Sequence, residues 1–220
     1  MKDLKIRCHE LWKIMGNGRG DFGLTETAMT LVKEKVKQHL YHYKSTIESK
    51  YLTKGIETED QIREMYNGFF FTNLEKNTER KSNDWIEGET DAVSDKIIDF
   101  KSAWSSETFP ASIPDAEKKI KKAGYEAQLR GYMWLWGLDS AELVYGLVDT
   151  PEHLIEWEQN RSIHEVEHLP VHLRLTCVQY ERDKDYEMLI RSKVEDCRKF
   201  AEQYMKEIES KHLKHEERNI

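Results

Sequence analysis

The segment Gly88-Glu89-Thr90-Asp91-Ala92-Val93-Ser94-Asp95-Lys96-Ile97-Ile98-Asp99-Phe100-Lys101 holds two apolar stretches around a short polar turn. Trp85 to Val93 and Lys96 to Trp104 read as two strands joined by a tight turn. Side chains alternate faces along a strand, so Ile97, Asp99 and Lys101 share one face while Ile98 and Phe100 point to the other. An acid and a lysine two residues apart in an otherwise apolar strand require compensation, because either charge buried alone costs on the order of several kcal/mol. A structural ion pair satisfies them, and so does a metal ion together with a phosphate.

The metal reading needs a second carboxylate on the same face, and Asp91 is the best placed. Glu89 and Asp95 compete with it on the same hairpin. With Ser94 to Lys96 as a three-residue turn, Asp91 falls opposite Asp99. A two-residue turn sets it opposite Ile98, on the wrong face. The metal reading therefore predicts an odd-length turn or a bulge. Two facing acids repel unless a cation lies between them. Oxygen ligands of this kind suit Mg²⁺ or Mn²⁺, and the Phe100 carbonyl is a further candidate ligand.

Outward from the hairpin, the spacing of Leu24, Ala28, Leu31, Val32, Val36, Leu40 and Tyr43 predicts a helix capped by Thr25 and running to about Tyr43. A second helix is expected from Gly55 to Tyr66, and a third from Pro114 to Gly137, with proline in its first turn and glycine at its end. Ser105 to Pro114 reads as a loop between the hairpin and this third helix. Ala141 to Val148 and His172 to Tyr180 read as strands. Met188, Val194, Cys197, Ala201, Tyr204 and Ile208 mark a long amphipathic helix from Lys184, followed by a polar tail from Lys211 that is expected to fray. This order predicts a mixed α/β domain, a central sheet covered by helices.

Bulk properties narrow the field. The 220 residues suffice for one sizeable core, and 38% hydrophobic with 34% charged residues fits a globular chain. No apolar run reaches the length of a membrane span, and Met1 to Arg7 has no signal-like stretch, so a cytoplasmic location is expected. Cys8, Cys177 and Cys197 lie far apart with no CxxC pair, which argues against a zinc ribbon, an iron–sulfur cluster or a disulfide framework. The net charge of −7 speaks against a basic nucleic-acid coat protein but not against an enzyme with a local basic patch. Gly16 to Gly23, GNGRGDFG, reads as a glycine-rich loop, since no strand precedes it and no Gly-Lys-Ser/Thr follows. His39 and His42 read as exposed, Trp134 and Trp136 as core, and Lys118, Lys119, Lys121 and Lys122 as a solvated helix face.

Asp91 followed by Asp99-Phe100-Lys101 resembles the PD-(D/E)XK nuclease signature, with Thr90 where that signature has proline. Gly55-Ile56-Glu57-Thr58-Glu59 resembles its GxxxE element. Gln128-Leu129-Arg130-Gly131-Tyr132 resembles the QxxxY motif of the RecB-like and lambda-exonuclease-like branches, which puts Gln and Tyr on one helix face at i and i+4. The likeness covers roughly Gly55 to Tyr145, and the small size without cluster cysteines is similar to the phage-type (YqaJ-type) recombination exonucleases.

The resemblance implies a restriction-endonuclease-like α/β core and a single nuclease domain over 1–220. Its parts would be an N-terminal helical region 1–50, a catalytic core 51–150 and a C-terminal strand and helix 151–220. It implies a Mg²⁺-dependent DNA exonuclease, with Mn²⁺ as substitute and no iron–sulfur cluster. Asp91, Asp99, Glu59 and the Phe100 carbonyl would bind metal, and Lys101 would orient or deprotonate the attacking water. Gln128 and Tyr132 would bind the phosphate backbone or brace the site. Glu57 and Asp60 remain alternatives to Glu59. DNA is the implied partner, and the likeness extends to an annealing recombinase partner and a homotrimer. A specific endonuclease and a non-catalytic DNA- or partner-binding module are the competing readings, and substrate topology separates the first of them from an exonuclease.

Overall fold

The computed structural model describes residues 1–46 and 48–211. The polar tail beyond Lys211 lies outside them. Strand β1 (Ile6–Arg7) leads into a 3-10 turn, Cys8–Lys13, and then α1 (Glu26–Tyr41) and α2 (Lys50–Phe70). Next come β2 (Lys81–Ser82), β3 (Ile86–Gly88), β4 (Ala92–Val93) and β5 (Ile97–Ser102). Helices α3 (Ile113–Ala123) and α4 (Tyr125–Trp136) precede β6 (Ser140–Gly146), β7 (Leu175–Glu181) and α5 (Lys184–Ser210).

The central sheet has strand order β4-β5-β6-β7 and is mixed: β5 and β6 run parallel, and the two outer pairs are antiparallel. A parallel pair needs a crossover, and α3 with α4 supplies it. Both faces of β5 are covered. Ile97 packs with Leu129 and Met133 of α4 and Leu143 of β6 in the larger core, while Ile98 and Phe100 pack with Ile62 and Tyr66 of α2 in a second core. Each such side chain stabilises the fold by about 1.5–3 kcal/mol when fully buried. The α/β class with a helix-covered mixed sheet is the expected one.

Several boundaries differ from expectation. The stretch Trp85 to Val93 is not one strand. Ile86 to Gly88 pairs with Ile6 and Arg7 in a separate three-stranded sheet, and only Ala92–Val93 pairs with β5. The helix expected over Pro114 to Gly137 breaks at Gly124, which has φ +76° and lies where a Cβ would come within 2.2 Å of the Trp12 Cβ. Left-handed backbone and close packing both demand glycine there. Helix α2 begins earlier and ends later than Gly55 to Tyr66, and His172 to Arg174 precede β7 rather than belonging to it, Val171–Leu173 forming a 3-10 turn. Helix α1 ends at Tyr41, with His42 left-handed as its C-cap, and Thr25 Oγ1 caps its start by accepting the Ala28 N–H.

The chain's two ends meet. β1 inserts beside β3, and α1 packs against α5. Loop Gly16 to Gly23 is held against α5, where the buried Lys193 Nζ donates to the Gly16 carbonyl and to Asn17 Oδ1, both at 2.8 Å. Among the described residues no helix is long and apolar enough to cross a membrane.

Candidate active site

The register of the short hairpin sets the site. Ala92 faces Ile98 and Val93 faces Ile97, so the turn holds Ser94, Asp95 and Lys96, and the same register carried one residue further puts Asp91 across from Asp99. This is the odd-length turn that the metal reading requires. Glu89 and Asp95 fall away from the pair: Glu89 lies toward Arg80, and Asp95 accepts from Ser94 within the turn. The segment before Asp91 is pinned on two sides. Thr90 Oγ1 donates to the Ile98 carbonyl at 3.2 Å, Asn77 Nδ2 donates to the Thr90 carbonyl at 2.9 Å, and the Asn77 N–H donates to the Asp91 carbonyl at 2.8 Å. Asn77 sits in a polar stretch whose sequence shows no sign of this role.

Asp99 is 1% exposed. Its Oδ1 accepts from Gln128 Nε2 at 3.2 Å, and Gln128 Nε2 also donates to the Tyr132 hydroxyl at 3.0 Å. Its Oδ2 is ion-paired with Lys101 Nζ. Lys101 Nζ also lies 5.1 Å over the Tyr125 ring. Asp91 Oδ2 accepts the Phe100 N–H at 2.6 Å. Burial, then the neighbouring Asp99 carboxylate, push Asp91 up to about 8, while Lys101 and the Phe100 N–H oppose the rise. Burial alone would lower the Lys101 ammonium, but the Asp99 and Asp91 carboxylates overcome it and hold the group above the usual lysine range.

These residues fit a divalent cation. Two carboxylates face each other at a cost that a cation removes. Among the described residues no three His, Cys, Asp or Glu side chains gather as a metal cage. The Phe100 carbonyl lies 3.4 Å from Lys101 Nζ, beside the pair.

Glu59 stands at the rim. Its field reaches Asp91, but its carboxylate is paired with Lys76 at 2.9 Å and does not join the two aspartates. Its rivals are engaged elsewhere, Glu57 with His153 and Asp60 with Arg63. Gln128 and Tyr132 are brought to Asp99 by α4, yet both are buried, with Tyr132 packed against Gly88 and Cys8. A Cβ at Gly88 would come within 2.7 Å of both. Burial, with Asp99 adding, pushes the Tyr132 hydroxyl far above its usual range, so it stays protonated. Both side chains face the acid from behind rather than the surface. Trp134 stacks on Trp85 at 5.7 Å and Trp136 meets Tyr132 edge-on, which is packing. Lys118, Lys121 and Lys122 are exposed on α3 or nearly so, whereas Lys119 turns inward to donate to the Thr108 carbonyl at 2.6 Å. A surface hollow of about 560 Å³, lined by Arg130, Tyr180, Arg182 and Asp183, lies apart from these residues.

A mixed sheet with facing acids on its β4–β5 hairpin, a lysine two residues on, and a glutamine helix behind fits the PD-(D/E)XK nuclease class. Comparison with known proteins narrows it. A phage-related exonuclease from Haemophilus somnus 129PT is 35% identical, with 94% of this chain and 97% of that one covered and a TM-score of 0.87. An alkaline exonuclease from Laribacter hongkongensis shares the fold at 15% identity and a TM-score of 0.64, covering 97% of this chain and 95% of that one. A second structure of that exonuclease, in complex with dAMP, matches equally well. No family model and no curated protein matches the chain. The chain belongs to the family of that phage-related exonuclease, consistent with a YqaJ-type PD-(D/E)XK exonuclease.

Proposed function

We propose that this protein is a divalent-metal-dependent DNA exonuclease that hydrolyses phosphodiester bonds at Asp91, Asp99 and Lys101. The observation that carries the proposal is the cross-strand pair Asp91–Asp99 with Lys101 on the Asp99 carboxylate. Asp91, Asp99 and the Phe100 carbonyl are the groups that would hold Mg²⁺ or Mn²⁺, which when bound supplies an activated water and polarises the scissile phosphate. Lys101 offsets charge on the phosphate and orients or helps deprotonate the attacking water. Gln128 fixes the Asp99 carboxylate, and Tyr132 fixes Gln128. Glu59 acts from the rim, where release from Lys76 lets it approach the water or ion. The whole chain serves as one nuclease unit. A role in phage-type recombination, a recombinase partner and a homotrimer rest on the family likeness alone.

The test is digestion of linear duplex DNA with Mg²⁺ or Mn²⁺ and with EDTA. Asp91→Ala, Asp99→Ala and Lys101→Ala should each lower kcat by about a hundredfold or more. An Asp99→Ala variant as active as the parent would overturn the assignment.

A further inference from the structure

One cation on the site's own face of the sheet has no task in the proposed mechanism. The parallel register sets Tyr145 of β6 beside Lys101 of β5. The two side chains therefore leave the same face from neighbouring strands, whose backbones lie about 4.8 Å apart. Lys119 of α3 reaches over this row. Its Nζ stands 5.3 Å from the centre of the Tyr145 ring and donates to the Thr108 carbonyl, in the loop that follows β5, at 2.6 Å.

Its neighbours on the helix behave differently. Lys118, Lys121 and Lys122 are exposed, whereas Lys119 is half-buried. The acid one turn back, Asp115 at i−4, is the usual surface partner for such a lysine, but it accepts from Ser112 Oγ at 2.7 Å. Among the described residues no carboxylate pairs with Lys119, and burial, with no acid opposing it, pushes the ammonium below the usual lysine range. The Thr108 carbonyl takes one of its three N–H groups and leaves two for another acceptor. A partly buried cation without a counter-charge is unfavourable, and an anionic ligand removes that cost.

We infer that Lys119 is a phosphate clamp: it binds a backbone phosphate flanking the scissile bond and seats the DNA strand along the row that carries Lys101. Its place above that row, rather than its charge alone, points to the strand held in the active site. An ammonium on a phosphate reads charge and not sequence, so the clamp serves any DNA. Lys119 is a substrate-binding residue, and the inference rests on the nuclease reading made above.

The test is fluorescence anisotropy of a labelled linear duplex in Mg²⁺ at several salt concentrations, using the full chain with Asp99→Asn to stop digestion. Adding Lys119→Met or Lys119→Gln should weaken binding about 3–10-fold at low salt and reduce the slope of log Kd against log salt by about 0.7–0.9, the share of one phosphate contact. Lys119→Arg should keep the starting slope, and so should Lys118→Met, the control for overall charge. Glutamine still offers a donor to the Thr108 carbonyl but carries no charge. A lysine that only ties down the loop therefore predicts an unchanged slope for Lys119→Gln, and that result, at unchanged helix content by circular dichroism, would overturn the clamp. An equal loss of slope in Lys118→Met would overturn it too. Digestion by the Asp99→Asn chain, or no DNA binding by it, would overturn the nuclease reading and the clamp with it.

Discussion

Gln128 shows how a single side chain divides its work. One amide nitrogen donates to Asp99 Oδ1 and to the Tyr132 hydroxyl, and the side chain is almost fully buried. The proposed role is to aim the carboxylate. Gln128→Ala should lower kcat about 10–100-fold with little change in KM for DNA, as measured by steady-state digestion. A rise in KM with kcat intact would show a phosphate contact instead. The placement of these side chains was legible because strand parity and the i, i+4 helix spacing are local geometry. Asp99 and Lys101 share a face by alternation, and Gln128 and Tyr132 by the helical repeat. Lys54, Glu142 and Lys193 were not legible. A charged residue in an amphipathic pattern reads as surface, and only the folded chain reveals the acceptors or donors that bury it.

Among the elements, α2 and the α3–α4 pair control where the site's strands end. Lys54 of α2 is 1% exposed and donates to the carbonyls of Trp104 and Val148 and to Thr150 Oγ1, at 3.1, 3.0 and 2.8 Å. Burial pushes its ammonium down to about 8, with Asp149 opposing, and three acceptors match its three N–H groups. One turn on, Thr58 donates to Ser102 Oγ at 2.9 Å. Together they tie the helix bearing Glu59 to the strand bearing Lys101. Lys54→Met leaves buried oxygens short of a donor and should cost about 2–4 kcal/mol in urea unfolding. The break between α3 and α4 yields a second prediction. Gly124→Ala places a Cβ against Trp12 in a left-handed residue and should destabilise by at least about 2 kcal/mol. Unfolding within a few tenths of the parent would mean that the crossover straightens at no cost. The sequence reads through this break because glycine inside a helical pattern is ambiguous until its φ is known.

At the scale of the molecule, the small sheet β1-β3-β2 and the packing of α1 on α5 join segments far apart in the chain. Neither is readable locally. Ile6 pairs with Ile86 across a long separation, and a two-residue strand has no pattern of its own. The expectation of one continuous strand from Trp85 to Val93 failed for this reason, as the chain crosses from one sheet to the other at Glu89 to Asp91. That crossing is what frees Asp91 to meet Asp99 at the sheet's edge. The most direct measurement of the account is digestion of linear and covalently closed duplex DNA side by side, in Mg²⁺ and in EDTA, with Asp99→Ala as the comparison. The account predicts Mg²⁺-dependent loss of the linear DNA alone, absent in the variant. Cutting of the closed circle would contradict exonuclease action, and metal-dependent digestion that survives in Asp99→Ala would contradict this site.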